Sequence, residues 1–102
     1  MRTVLFLSGE LDFASVEGWK AEIAAALIDR PSSLVLDLSE VSFIDSLGLG
    51  LLVAARTRCQ DRSTTLELRH VSEAVCYLLR VTGLDAVFET ELVDGQSPER
   101  HR

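Results

Sequence analysis

The chain has 102 residues, of which 47% are hydrophobic and 25% charged, the balance of one soluble compact domain that buries a core. That balance excludes a disordered tail, and the length leaves no room for a second domain. Sixteen acids against ten bases give a net charge of −6, and an acidic chain with no basic stripe speaks against nucleic acid, where phosphate neutralisation supplies much of the affinity.

The run Val4-Leu5-Phe6-Leu7 is apolar and β-type, and Ser8-Gly9 after it reads as a turn. Asp12 is placed to cap a helix in which Val16, Trp19, Ile23, Ala26 and Leu27 recur at helical spacing, with Arg30-Pro31 as its stop. Leu34-Val35-Leu36-Asp37-Leu38 is short and continuous, the pattern of a central strand covered on both faces, and Val41, Phe43 and Ile44 extend the apolar supply. After Ser46 a second helix is expected, with Leu52, Ala55 and Cys59 on one face and Arg56, Arg58 and Arg62 toward its C-terminal end, where they suit the dipole. Thr65-Leu66-Glu67-Leu68-Arg69 alternates with period two and reads as a half-exposed strand. Ser72 caps a last clear helix with Val75, Leu78 and Leu79 as its stripe, and Gly83 suits the left-handed position beyond its end. Ala86-Val87-Phe88 reads as one more short strand. The alternation predicts an α/β fold: a single domain over residues 1–90, with a mixed sheet of about four strands and helices packed on it, followed by a polar tail over 91–102.

No apolar run approaches the roughly 18 to 20 residues that span a bilayer, and Met1-Arg2-Thr3 does not open a signal peptide, so a cytoplasmic protein with no membrane partner is expected. Cys59 and Cys76 lack Cys-x-x-Cys spacing and lie in helical segments, so both read as small core residues and no metal or cofactor is expected. Ser46 has only Asp45 beside it, its surroundings are not a G-x-S-x-G elbow, and neither His70 nor His101 is placed as a base, so no catalytic residue is assigned.

The informative stretch is D-L-S-E-V-S-F-I-D-S-L-G-L-G, from Asp37 to Gly50, in which the chain leaves a buried strand and enters a helix at Asp45-Ser46-Leu47-Gly48. Backbone N–H groups and the positive end of the dipole favour an anion there, so a phosphoserine at Ser46 is locally tolerated. On local chemistry alone, Asp45 or Ser46 is equally a plain N-cap. Gly48 and Gly50 weaken the helix where it begins, which calls for close approach of another surface, either the sheet or a partner.

With L-S-G-E-L-D at Leu7 to Asp12 and V-x-x-L-L-x-V-x-G-L at Val75 to Leu84, this stretch resembles the STAS domain family, and within it the stand-alone anti-sigma factor antagonists of bacteria. The resemblance covers roughly Val4 to Glu89. It implies that the serine matching Ser46 is phosphorylated by an anti-sigma factor that is also a serine kinase, and that the unmodified form binds this kinase and frees a sigma factor. It also implies a partner surface made of Ser8, Gly9, Glu10, Asp12, Asp45, Ser46, Leu47, Gly48 and Leu49. A STAS subunit of a lipid-transport ATPase or of a stress-sensing complex is the alternative. The chain departs from the family at Leu47, where a small residue is commoner. It also departs in the strand that usually precedes Val4, whose absence suggests a monomer or a weak strand-paired homodimer, and in a longer helix after Phe88.

Overall fold

The computed structural model describes residues 1–88, in the order β1 (Arg2–Leu11), α1 (Val16–Ala26), β2 (Ser33–Ile44), α2 (Ser46–Asp61), β3 (Thr65–Arg69), α3 (Glu73–Val81) and α4 (Leu84–Val87). The described strands form one sheet, ordered β1-β2-β3 and parallel throughout. Two parallel crossovers that step the same way across a sheet, each right-handed, carry their helices to one face. The core follows from this: Leu34, Leu36 and Leu38 of β2 join Ile23 and Leu27, Leu51, Leu52, Ala55 and Cys59, and Val75, Cys76 and Leu79 in one buried cluster. The intervening Val35 and Asp37 are also buried but point to the other face. There Arg2 of β1 and Glu67 of β3 meet across β2 at 3.4 Å, and Arg69 reaches the same Glu67 carboxylate at 3.3 Å.

Several sequence expectations are corrected. The sheet has three described strands and is parallel, not mixed, because each strand-to-strand connection runs through a helix. Ala86-Val87-Phe88 is no strand: Gly83 takes φ +79°, the chain reverses, and Leu84–Val87 closes a short helical turn that delivers Phe88 fully buried into the core. Ser8-Gly9 is no turn either. β1 runs on to Leu11, and Gly9, at φ +73°, lies where β2 carries extra residues, so the register shifts between Phe6 and Ser8 and again between Gly9 and Glu10. Asp12 does not cap α1 directly, for the N-cap position is Ser15; Asp12 Oδ1 accepts from the backbone N–H groups of Ala14 and Ser15 in the turn before the helix. The expected tail over 91–102 lies outside the described residues. Among the described residues no helix is long and apolar enough to cross a membrane, and no group of three or more His, Cys, Asp or Glu is placed to hold a metal ion.

Candidate functional site

β3 pairs with β2 only from Ser33 to Asp37, whereas β1 follows β2 to Ile44. The carboxyl halves of β1 and β2 therefore project beyond β3 as a two-stranded tongue. Ser8, Gly9 and Glu10 of the tongue are exposed, and Leu11 and Ile44 close it against the core. From its tip the chain enters α1 by way of Asp12 and α2 by way of Asp45. The carboxyl ends of the strands, where open parallel sheets commonly bind their ligands, thus gather Ser8, Gly9, Glu10, Asp12, Asp45, Ser46 and Leu47 at one end of the molecule.

Asp45 is the N-cap of α2, in extended conformation, and its Oδ1 accepts from Leu47 N–H at 2.9 Å and Gly48 N–H at 3.1 Å. Its own N–H donates to the Leu11 carbonyl, which ties the helix start to the end of β1. A cap of this kind contributes about 0.5–2 kcal/mol. Ser46, the first helical residue, is exposed, and Leu47 beside it is 46% exposed. Gly48 and Leu49 turn inward, so they shape this surface from below.

The two glycines separate cleanly. A Cβ on Gly48 would lie 2.4 Å from the Leu11 carbonyl oxygen and 2.6 Å from Ile44 Cγ1, so only glycine lets α2 start this close to the ends of β1 and β2. A Cβ on Gly50 would meet nothing within 4 Å. Packing accounts for Gly48 and leaves Gly50 without an internal reason.

Two features of this end were missed in the sequence. Asp37 Oδ2 lies 2.9 Å from His70 Nδ1, and Asp37 Oδ1 accepts from Ser39 N–H, also at 2.9 Å. Burial pushes this carboxyl's pKa up, but the Ser39 hydroxyl and N–H and the facing His70 outweigh it and hold the group below its ordinary value. The pairing joins β2 to the residue after β3, which itself has φ +56°, and no spacing rule reveals it. The second feature is a cleft of about 370 Å³ between the tongue and α3, whose lining includes Phe43 and Tyr77.

The STAS domain family model matches residues 2–94. The chain belongs to the STAS family. Among curated relatives, the anti-sigma-B factor antagonist of Listeria monocytogenes is 32% identical over 92 residues, covering 90% of this chain and 81% of that protein. Among solved structures, the anti-sigma factor antagonist SpoIIAA in its unphosphorylated form superposes with a TM-score of 0.70 at 27% identity, covering 96% of this chain and 84% of that one. The Bacillus SpoIIAA in the phosphorylated form gives 0.69 at 25% identity, covering 95% and 86%. A sulfate transporter family protein from Wolinella succinogenes reaches 0.79 at 21% identity, covering 97% and 80%, which is a likeness of fold. Within this STAS domain, the L-S-G-E-L-D and I-D-S-L-G blocks meet in space: the first ends at Asp12, the second begins at Ile44, and Leu11 pairs with Ile44 between them.

Proposed function

We propose that this STAS domain is an anti-sigma factor antagonist that binds an anti-sigma factor with serine kinase activity, frees a sigma factor, and is switched off by phosphorylation at Ser46. The observation that carries the reading is the position of Ser46: exposed, first in α2, and at the end of the sheet that also carries Ser8, Gly9, Glu10, Asp12, Asp45 and Leu47. The names of the curated relatives and the existence of a solved phosphorylated form of a structural neighbour support it. The domain acts as a binding module.

The capping geometry suggests how a phosphate acts. Leu47 N–H and Gly48 N–H are already committed to Asp45, so the phosphate meets a neighbouring carboxylate as well as the positive end of the helix. A dianion of about −1.5 to −2 is thus close to neutral for folding, the dipole term of about 0.3–1 kcal/mol being offset by repulsion from Asp45. In a partner interface the same charge must be desolvated, at a cost of about 2–5 kcal/mol, or roughly 30- to several-thousand-fold in affinity.

The test is phosphosite mapping after incubation with the cognate kinase and ATP, alongside binding and thermal unfolding of the modified and unmodified forms. Label on Ser46, weakened binding and midpoints within about 5 °C are expected. Label that persists on Ser46→Ala, or undiminished affinity after phosphorylation, overturns the reading. Nothing in the site favours a transporter or stress-complex subunit over this one.

A further inference from the structure

We propose that the cleft between the tongue and α3 is a second docking point for the same protein partner, and that it takes an apolar side chain carried on a basic segment. The proposal rests on the antagonist reading above and extends its surface by one wall.

The cleft, of about 370 Å³, is walled by Val41, Phe43 and Ile44 from β2 and by Ala74, Tyr77 and Leu78 from α3. It exists because β3 ends at Arg69: beyond Asp37 no described strand flanks β2 on that side, and α3 turns Val75, Cys76 and Leu79 into the core. Two aromatic rings are left half in water, Phe43 at 51% and Tyr77 at 55% exposure. Tyr77 is steadied by the Arg80 guanidinium 5.6 Å from its ring centre. Partly exposed, positioned aromatics beside a recess are the usual anchors of protein interfaces. The cleft is also continuous with the proposed site, since Ile44 lines it and the next two residues are Asp45 and Ser46.

Charge selects the occupant. Glu10, Asp12, Glu40, Asp45 and Glu73 all stand at this end, on the tongue or at helix starts. Lys20 and Arg69 each face an acid of their own, Glu17 and Glu67. Arg58 lies in the last turn of the long helix α2, away from these acids, and Arg80, one turn beyond Tyr77, is the cation at the cleft and is engaged on the face of that ring. An acidic rim around an apolar recess complements a basic segment with an apolar anchor and repels the same face of a second copy of this chain.

The test titrates the purified full chain with its cognate anti-sigma factor kinase. Phe43→Ser and Tyr77→Ser should each weaken binding by about 10- to 100-fold with little change in the unfolding midpoint, because both side chains are half exposed already. Glu40→Lys should weaken binding by a smaller factor and flatten its dependence on salt. If the wild-type chain fails to bind the kinase, the antagonist reading falls and this proposal falls with it. Tight wild-type binding that none of the three variants alters overturns the cleft proposal alone. Two further outcomes also overturn it. One is loss of self-association in the variants with kinase affinity intact, which assigns the cleft to a second copy. The other is a midpoint lowered by several degrees with kinase affinity intact, which assigns it to residues 89–102 of the same chain.

Discussion

The two halves of the sheet follow different rules. In the amino half, Arg2–Phe6, Ser33–Asp37 and Thr65–Arg69 run in unbroken register, and every β2 residue from Leu34 to Asp37 is buried. In the carboxyl half β3 has ended, the pairing of β1 with β2 shifts twice, and most side chains from Ser39 to Phe43 return toward water. The regular half holds the fold together, and the irregular half exposes residues that a core does not need. The same contrast recurs within α2, whose first residue is exposed while Leu51, Leu52, Ala55 and Cys59 are buried.

The comparison is most sharply tested where the largest loss is expected. Leu36→Ala removes a fully buried side chain from the centre of the regular half and should cost about 2–5 kcal/mol, read by urea or thermal unfolding. Phe43→Ser, seven residues along the same strand, should cost far less. Equal losses at the two positions would mean that the tongue is as much core as the strand it grows from. Gly48→Ala comes next, at about 1–3 kcal/mol, because the added Cβ meets the Leu11 carbonyl and Ile44 rather than a flexible chain end. Asp45→Ala leaves two helix-start N–H groups without their carboxylate and should cost about 0.5–2 kcal/mol, while Ser46→Ala, which removes no such bond, should be close to silent for folding.

The Asp37–His70 pair adds a test by pH. The folded-state pKa of Asp37 is held below its ordinary 3.8, so its contribution is fully present above that value and is lost as the pH falls through the lower folded value. The difference in unfolding free energy between wild type and Asp37→Asn should therefore shrink on acidification below pH 3.8. A difference that grows on acidification contradicts the assigned direction.

How much of this was legible beforehand divides along the same line. The amino half was readable because its signals are local: Leu34 to Leu38 is a continuous apolar run, Leu66 and Leu68 alternate with polar neighbours, and Ser72 does accept from Val75 N–H as a cap should. The carboxyl half was not, because Ser8-Gly9 carries the same punctuation whether the chain turns or merely adjusts a bulge against β2. Ala86-Val87-Phe88 failed for a related reason: two β-type residues, Val87 and Phe88, are too few to outweigh Gly83, which turns the chain so that Phe88 plugs the core from a helical turn. The position of Ser46 at a helix start was visible in the sequence, whereas the cleft beside it depends on where β3 stops relative to β2, which no one-dimensional pattern encodes.

The smallest expected effect is the one that bears most directly on function. Gly50 is exposed, lies inside α2 with helical neighbours on both sides, and has open space where a Cβ would go. Alanine there should raise stability by up to about 1 kcal/mol, since glycine in a helix interior is less favourable than alanine by roughly that amount. For a domain of this size that is a gain of up to about 4–8 °C in the unfolding midpoint. Gly48→Ala, two residues earlier on the same helix, should move the midpoint the other way, and a shared sign would undo the distinction drawn between them. Because folding does not require Gly50, its effect on binding is informative: a Gly50→Ala protein that is more stable yet binds the proposed kinase partner less tightly would place that partner's surface directly against the helix backbone. Unchanged affinity would confine the partner to Ser46, Leu47 and the tongue.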